Sequence, residues 1–340
     1  MALCQVVWPD LMAGAALQLS DIRELQQVLL PRLVRTPTIR CIGLEALYGN
    51  KTEIYAKLEF LQHTGTFKAR GAISVLSGLD DEQLAAGVTA VSAGNHAIAV
   101  AFAAREYGAS AKVVMVRGAN PFRMERCRHF GAEIVLADNV HTAFQMADSI
   151  HASEGRFFVH PFEGLDIAKG TATVGVEICE QVSEFDAIVI PIGGGGLCAG
   201  ISTAVRQLNP SCEVFGVEPA GANSMHRSFL SGKPESIEKV ATIADSLGAP
   251  FAMPLSFELC RDNVDELVMI DDDQLKNAMR NLFLKMRIAV EPACAAATAA
   301  LLGPLATRFK YKRVVLVMCG SNIDWQTYAT QTFPELVSAH

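Results

Sequence analysis

The segment TGTFK, at residues 64–68, places one lysine directly after small and hydroxylated residues. A charged ammonium is not a nucleophile, so a lysine that attacks or holds a carbonyl must be desolvated and partly deprotonated. The hydroxyl groups of Thr64 and Thr66 and the ring of Phe67 could form such a setting for Lys68. A lysine chosen at random is more often a surface residue that keeps its charge in solvent.

Four consecutive glycines, Gly193 to Gly196, stand between a strand-like run and a helical pattern. Bare N–H groups at the N-terminus of a helix suit a phosphate, although a tight turn explains the glycines equally well. Gly194, Gly196 and Ala199 also match G-x-G-x-x-A, and Glu218 lies where an acid would bind a ribose. This second pattern makes a nicotinamide-dependent oxidoreductase an alternative.

A lysine combined with a phosphate cradle favours pyridoxal phosphate, which enzymes hold as a Schiff base. Two further segments, SAGNH at 92–96 and CGSN at 319–322, also follow strand-like runs. Asn95 could donate a hydrogen bond to the phenolate oxygen of a bound ring. The N–H groups of four neighbours could hold a substrate carboxylate: Ser92, Ala93, Gly94 and His96. An ordinary N-cap turn accounts for the same residue types.

The elements that must position these segments alternate between strands and helices. The pattern predicts strands within 87–95 and at 112–116, 133–137, 156–161, 187–192, 213–218 and 313–318. It predicts helices at 96–108, 122–131, 142–153, from the glycines to about residue 208, and 271–286. Buried β-branched runs separated by helices favour parallel sheets covered on both faces. We predict an α/β protein with two open, twisted, mostly parallel sheets flanked by helices, with ligands beyond the carboxyl ends of the strands.

Composition excludes several classes of partner. The chain has 340 residues, a formal net charge of −7 and no basic run, which argues against nucleic acid and anionic membranes. No uninterrupted apolar run is long enough to span a bilayer. The nine cysteines form no C-x-x-C pair, which is typical of reduced, mostly buried thiols in a cytoplasmic protein.

The segments KLEFLQHTGTFKARGA, SAGNH, GGGGL and CGSNID occur in this order from residue 57 onward. With them the chain resembles the fold-type II pyridoxal-phosphate enzymes, and within these the threonine/serine dehydratase and serine racemase group, from about residue 30 to about 325. The resemblance implies a tryptophan synthase β-like fold with the active site in the cleft between two domains. Residues 1–85 and 165–340 would form the large cofactor-binding domain, and 86–164 a small mobile domain that closes over the substrate.

The resemblance also implies roles for individual residues. Lys68 would carry the cofactor as a Schiff base beside Phe67, and Asn95 would bond the 3-oxygen of the ring. The phosphate would lie on the loop formed by Gly193, Gly194, Gly195, Gly196 and Leu197. Ser92, Ala93, Gly94 and His96 would line the substrate-carboxylate loop. Cys319 takes the position that faces the pyridine nitrogen, and whether Cys319 or Ser321 makes that contact stays open.

The implied activity is an ammonia-lyase that converts a β-hydroxy-α-amino acid such as L-threonine or L-serine to a 2-oxo acid and ammonia. Alternatives on the same scaffold are an amino-acid racemase or a lyase for an unusual hydroxyamino acid. Racemases of the group have a serine where this chain has Ala93, which offers no proton, and an arginine that we do not find between 132 and 155. Lys169 also stands where glutamine is common.

The segment EPAGANS at 218–224 resembles the cation site of the group, but Ser224 replaces its aspartate beside Glu218 and Ala222. A hard cation would lose a charged oxygen ligand, so we expect no metal site. The resemblance further implies a homodimer or homotetramer.

Overall fold

The computed structural model describes residues 17–337, which contain ten strands and fifteen α-helices. The strands are β1 (Thr38–Arg40), β2 (Glu53–Leu58), β3 (Val88–Val91), β4 (Ala111–Val116), β5 (Glu133–Ala137), β6 (Phe157–Phe158), β7 (Ala187–Pro191), β8 (Glu213–Pro219), β9 (Glu266–Ile270) and β10 (Arg313–Met318). The first eight helices are α1 (Leu19–Leu29), α2 (Ile42–Tyr48), α3 (Lys68–Ser77), α4 (Asp81–Ala86), α5 (Asn95–Glu106), α6 (Pro121–His129), α7 (Val140–Glu154) and α8 (Leu165–Gln181). The others are α9 (Gly196–Leu208), α10 (Ser224–Ser231), α11 (Pro254–Asn263), α12 (Asp272–Asn281), α13 (Pro292–Leu302), α14 (Trp325–Thr332) and α15 (Pro334–Val337).

The strands form two sheets, as the sequence predicts. The six-stranded sheet has the order β1-β2-β10-β7-β8-β9, and the four-stranded sheet has the order β5-β4-β3-β6. Neighbouring strands run parallel throughout except at β1, which is antiparallel to β2. Apolar side chains and covering helices form separate buried clusters around the two sheets. The predicted α/β class with two open, mostly parallel sheets is therefore confirmed.

Individual elements agree with the sequence pattern to different degrees. The strands β5 and β10 have the predicted bounds, whereas β6 is only two residues long. The sequence pattern did not predict β1, β2 or β9. The predicted helix at 271–286 is α12 followed by a π-helical turn, Leu282–Met286.

Helix α8 holds the N-termini of α3 and α9 close together. A Cβ atom at Gly170 would lie 2.5 Å from the main-chain oxygen of Arg70 on α3, and one at Gly200 on α9 would collide with the main chain of α8. Only glycine permits so close an approach of the helix axes. The Thr171 hydroxyl on α8 donates a hydrogen bond of 2.7 Å to the Gly196 carbonyl at the start of α9.

A buried ionic cluster fixes α3 to β2 and α8. The Arg70 guanidinium, only 2% exposed, donates at 2.8 Å to both Glu59 and Glu177. The ammonium group of Lys57 lies 2.6 Å from Glu177 and is fully buried. Buried charges need partners of this kind. Arg70 lies two residues after Lys68, and its ion pairs fix this part of α3 to Glu59 on one side and to Glu177 of α8 on the other.

All four strands of the smaller sheet lie within the predicted small domain, 86–164. Helix α3, which the predicted boundary assigns to the large domain, buries Ala69, Ile73 and Leu76 in the core of the small sheet. The division of the chain at residues 85 and 165 stays a prediction, and residues 1–16 and 338–340 of the predicted large domain lie outside the described part.

The eight cysteines in the described part of the chain are free thiols, and seven of them are buried, as the sequence pattern indicates. Cys4 lies outside that part. None of the helices between residues 17 and 337 has the length and apolar character to cross a membrane.

Candidate active site

A cavity lies between the two sheets, at the carboxyl ends of their strands. The cavity is partly open to solvent. Its walls come from the starts of α3, α5, α8, α9 and α13, from the segments after β6, β7 and β10, and from residues 246–247. The lining residues are Phe67, Lys68, Gly71, Asn95, His96, Pro161, Phe162, Ile167, Thr171, Pro191, Gly193, Gly194, Gly195, Gly196, Leu197, Ser246, Leu247, Glu291, Ala293 and Cys319.

Lys68 is the first residue of α3, and its amine faces this cavity. The Nζ atom donates a hydrogen bond to the main-chain carbonyl of Pro161 and lies 5.2 Å from the ring centre of Phe67. Burial lowers the pKa of Lys68 to about 8, although Cys319 and Glu291 oppose the shift. A substantial fraction of the amine is therefore neutral near physiological pH, as a nucleophile or base requires.

The four glycines connect β7 to α9 and line the same cavity as Lys68. Gly195 has a φ of +98°, which side chains rarely allow. A Cβ atom at Gly194 would collide with the ring of Phe162, and one at Gly196 with the Phe162 carbonyl. Close packing thus explains part of the glycine content. The loop still presents bare main chain at the positive end of a 13-residue helix, which fits the phosphate of pyridoxal phosphate.

Asn95, at the start of α5, belongs to a chain of buried amides and a carboxylate. Its Oδ1 accepts a hydrogen bond of 2.7 Å from Asn322, whose Nδ2 also donates to the Thr64 carbonyl. This contact directs the Asn95 Nδ2 to Glu291 at 2.6 Å and to Ser246 at 3.2 Å. A donor group of Asn95 is therefore held in the cavity wall.

His96 lines the cavity, whereas Ser92, Ala93 and Gly94 form the adjoining loop between β3 and α5 and are absent from the wall. The Nε2 atom of His96 donates to the Val159 carbonyl at 2.8 Å, because a carbonyl only accepts. Burial lowers the pKa of His96 to about 3, so the ring is neutral. Its fixed ring anchors α5 to the segment that carries Pro161.

The structure distinguishes between the two residues at the end of β10. Cys319 is 3% exposed and lines the cavity. Ser321 lies outside the wall, and its main-chain N–H donates to Gly65 at 2.9 Å. A hydrogen bond with Cys294 and burial raise the pKa of the Cys319 thiol. A neutral thiol therefore faces the cavity.

Glu218 is buried, and the main chain at the start of α10 binds its side chain. The side chain is fully buried and accepts hydrogen bonds from the N–H groups of Met225, at 2.9 Å, and His226, at 2.6 Å. The carboxylate therefore caps helix α10, whose first residue is Ser224. Burial raises its pKa to about 8.

Several lining residues were not identified from the sequence. Pro161 and Phe162 follow the short strand β6, and Ser246 and Leu247 belong to a segment without a motif. Glu291 had a visible signal, because it is the only charged residue between 288 and 307. A single charge in an apolar segment indicates a site or a buried ion pair.

Comparison with known proteins identifies the class to which this fold and cavity belong. The chain belongs to the family described as pyridoxal-phosphate dependent enzymes, whose sequence profile matches residues 29–320. The phenylserine dehydratase of Ralstonia pickettii is 53% identical over 311 residues, which are 92% of this chain and 95% of that protein. The L-threonine ammonia-lyase of Thermotoga maritima is 37% identical over 307 residues, or 90% and 76% of the two chains.

Among solved structures, maize serine racemase superposes with a TM-score of 0.88 at 32% identity, covering 96% of this chain and all of that one (100%). These matches confirm the resemblance to the threonine dehydratase and serine racemase group. The protein is an enzyme of the pyridoxal-phosphate-dependent dehydratase or ammonia-lyase type, and its reaction is a β-elimination on an amino acid. Because the chain belongs to this family, the alternative of a nicotinamide-dependent oxidoreductase is wrong. The individual cofactor contacts and the homo-oligomeric state stay predictions.

Proposed function

We propose that the enzyme is a dehydratase for a β-hydroxy-α-amino acid with an aromatic ring on the β carbon. The products would be the corresponding aryl 2-oxo acid and ammonia. The observation that carries this proposal is the 53% identity to phenylserine dehydratase over 92% of the chain. It favours the alternative of an unusual hydroxyamino acid over L-threonine or L-serine. An L-threonine ammonia-lyase and an L-threonine dehydratase, which support L-threonine, are only 37% and 36% identical.

The apolar part of the cavity wall suits an aromatic substrate. Phe67, Phe162, Ile167 and Leu247 line the cavity, and Ile167 and Leu247 are almost fully buried. Apolar side chains discriminate in favour of a ring because burying it removes apolar surface from water. A methyl group or hydrogen on the β carbon, as in threonine or serine, gains much less from the same wall.

Lys68, Asn95, Cys319 and the glycine loop fit pyridoxal phosphate, because an amine, an amide donor, a neutral thiol and bare main chain line one cavity. When bound, the cofactor supplies an electron sink conjugated to the α carbon of the substrate. Lys68 would then take the proton from that carbon, and its lowered pKa suits a base near neutral pH. Cys319 is a neutral thiol, so it would face the ring nitrogen without protonating it.

The start of α5 would bind the substrate carboxylate. The first N–H groups of a helix have no intrahelical partner and carry a partial positive charge. Asn95 and His96 place these groups at the cavity, and the fixed ring of His96 keeps the turn in place. This contact would hold the Cα–H bond toward the Lys68 amine.

The test is a comparison of kcat/KM for L-phenylserine, L-threonine, L-serine and 3-hydroxyaspartate, with 2-oxo acid and ammonia measured separately. We expect phenylserine to exceed L-threonine by at least about 10-fold, the size of one well-buried apolar contact. D-serine formation from L-serine is followed in parallel to detect racemisation. Preference for L-threonine or L-serine would refute the aromatic specificity, and inversion without 2-oxo acid would refute the dehydratase.

A further inference from the structure

Glu291 is a buried carboxyl group whose hydrogen bonding is incomplete. It immediately precedes α13 as its N-cap residue, but its side chain makes no capping hydrogen bond to the helix. It is 1% exposed in a segment that is otherwise apolar. Burying a carboxyl group without full pairing is unfavourable, so the stability of the helix does not explain a glutamate at this position.

One oxygen of Glu291 is paired and the other is not. Oε1 accepts the 2.6 Å hydrogen bond from Asn95, whereas the buried Oε2 has no hydrogen-bond partner among the described residues. The nearest cation, Nη2 of Arg123, lies 3.7 Å from Oε2 and is also paired with Asp245. Since Oε2 belongs to a residue of the cavity wall, a bound molecule can supply the missing partner.

The paired oxygen indicates what that partner must be. In a neutral carboxylic acid one oxygen accepts and the other donates its proton. Oε1 already accepts from Asn95, so Oε2 would carry the proton and needs an anionic or strongly accepting oxygen. Burial raises the pKa of Glu291 to about 7, which makes the neutral form accessible at physiological pH.

We propose that Glu291 is a cofactor-contacting residue whose Oε2 donates a hydrogen bond to the phenolic oxygen of bound pyridoxal phosphate, beside Asn95. The predicted contact of this oxygen with Asn95 would place it beside Glu291, which is hydrogen-bonded to Asn95. This contact would change the electronic properties of the cofactor, because a hydrogen-bond donor at the phenolic oxygen alters which atoms of the conjugated ring system carry protons. The proposal is independent of the substrate, since it concerns apoenzyme and cofactor alone.

The charged and titratable groups facing Glu291 are Arg123 on α6, Asp245 between α10 and α11, Lys68 on α3 and the Cys319 thiol after β10. Any of them could contribute to a pH titration of the holoenzyme spectrum. A comparison of the wild type with Glu291→Gln isolates the carboxyl group, because the amide keeps the size, one acceptor and one donor but cannot ionise.

The experiment measures the dissociation constant of pyridoxal phosphate from reconstituted apoenzyme and the visible absorption spectrum of the holoenzyme from pH 6 to 9. We expect Glu291→Gln to bind the cofactor within about 3-fold of the wild type and to lose a spectral transition near pH 7. Glu291→Leu, which removes the donor, should bind at least about 10-fold more weakly, as expected for a lost buried hydrogen bond.

Glu163→Gln is the matched control. Glu163 is 3% exposed and lies outside the cavity wall, and both its oxygens have partners, with Leu255 and Ser256. This variant should lose thermal stability while the spectral titration remains that of the wild type. The proposal is overturned if the transition persists unchanged in Glu291→Gln, which is decisive even if the leucine variant does not fold. Loss of the transition in Glu163→Gln as well would overturn it too.

Discussion

The Nζ atom of Lys68 donates a hydrogen bond to the main-chain carbonyl of Pro161. This contact joins the first residue of α3 to the segment that leaves the small sheet. The same segment is held by His96 through the Val159 carbonyl and by Ser256 through the Phe162 carbonyl. The amine is therefore directed by a main chain that is fixed on both sides, and little freedom remains for it to turn away from the cavity.

Lys68→Ala should abolish turnover. The loss removes both the attachment of the cofactor and the base for the Cα proton, so we expect at least a 10³-fold decrease in kcat/KM. Borohydride reduction followed by peptide mass analysis should find the cofactor on the peptide containing residue 68 in the wild type. Lys169→Ala is the control, because Lys169 lies on α8 outside the cavity wall and should not affect the labelling. Substantial turnover in Lys68→Ala would contradict the assigned role.

The lowered pKa of Lys68 should appear in the stability of the apoenzyme. The pKa of Lys68 is about 8 in the folded protein, whereas an ordinary lysine has a pKa of 10.5. Between these two pH values the unfolded state therefore binds more protons than the folded state. Stability should therefore rise with pH in this window, by at most about 1.4 kcal/mol per pH unit. Urea unfolding of wild type and Lys68→Met at pH 7, 8 and 9 measures the difference. We expect the difference to shift toward the wild type by less between pH 7 and 8 than between pH 8 and 9. A difference that stays constant from pH 7 to 9 would disprove the lowered pKa of Lys68.

Thr171→Val should loosen the glycine loop. The hydroxyl donates to the Gly196 carbonyl, and valine keeps the shape but leaves that buried carbonyl without this donor. We expect a loss of about 1–3 kcal/mol in the free energy of unfolding and weaker binding of pyridoxal phosphate. Fluorescence titration of apoenzyme measures the affinity. Ser202→Ala, whose hydroxyl donates within its own helix α9, should leave the affinity unchanged.

Local patterns predicted the elements whose side chains are apolar on both faces. The bounds of β5 and β10 follow from their largely apolar runs, and the loops with Lys68 and the glycines follow from residue type alone. Strand β2 was missed because it carries Glu53 and Lys57, which are unusual in a central strand. The charge on Lys57 is tolerated only because Glu177, 120 residues later, provides a partner at 2.6 Å.

The site depends on the same kind of distant contact. Asn95 and Lys68 were identified from the segments SAGNH and TGTFK. Glu291 and Asn322 contact Asn95, and Pro161 contacts Lys68, only after the two sheets pack together. Single-sequence periodicity contains no information about which loops converge. A lone charge in an apolar run marks Glu291 as unusual without indicating its partners.

Arg70→Met should destabilise the fold strongly. It leaves the carboxylates of Glu59 and Glu177 without their main cation in a fully buried setting. We expect the free energy of unfolding to fall by about 3–5 kcal/mol. Arg35→Met is the matched control, since its ion pair with Glu180 is nearly half exposed and should contribute about 1 kcal/mol or less. Chemical denaturation of both variants measures the two losses, and equal losses would contradict the role of the buried cluster.

Arg123→Met should impair catalysis more than it lowers the free energy of unfolding. Arg123 joins the two sheets beside the cavity. The guanidinium on α6 is paired with Asp245 and donates to the Asn322 carbonyl at 3.1 Å. Asn322 in turn orients Asn95, so loss of the arginine should disturb the predicted donor to the cofactor. We expect kcat/KM to fall about 10-fold and the holoenzyme spectrum to change. The loss of stability should be small, because Asp245 is largely exposed and water can solvate its carboxylate once the arginine is gone. Arg117→Met removes an exposed ion pair with Asp138 and should change neither kcat/KM nor the spectrum. An unchanged spectrum in Arg123→Met would show that the contact between the sheets does not reach the cofactor.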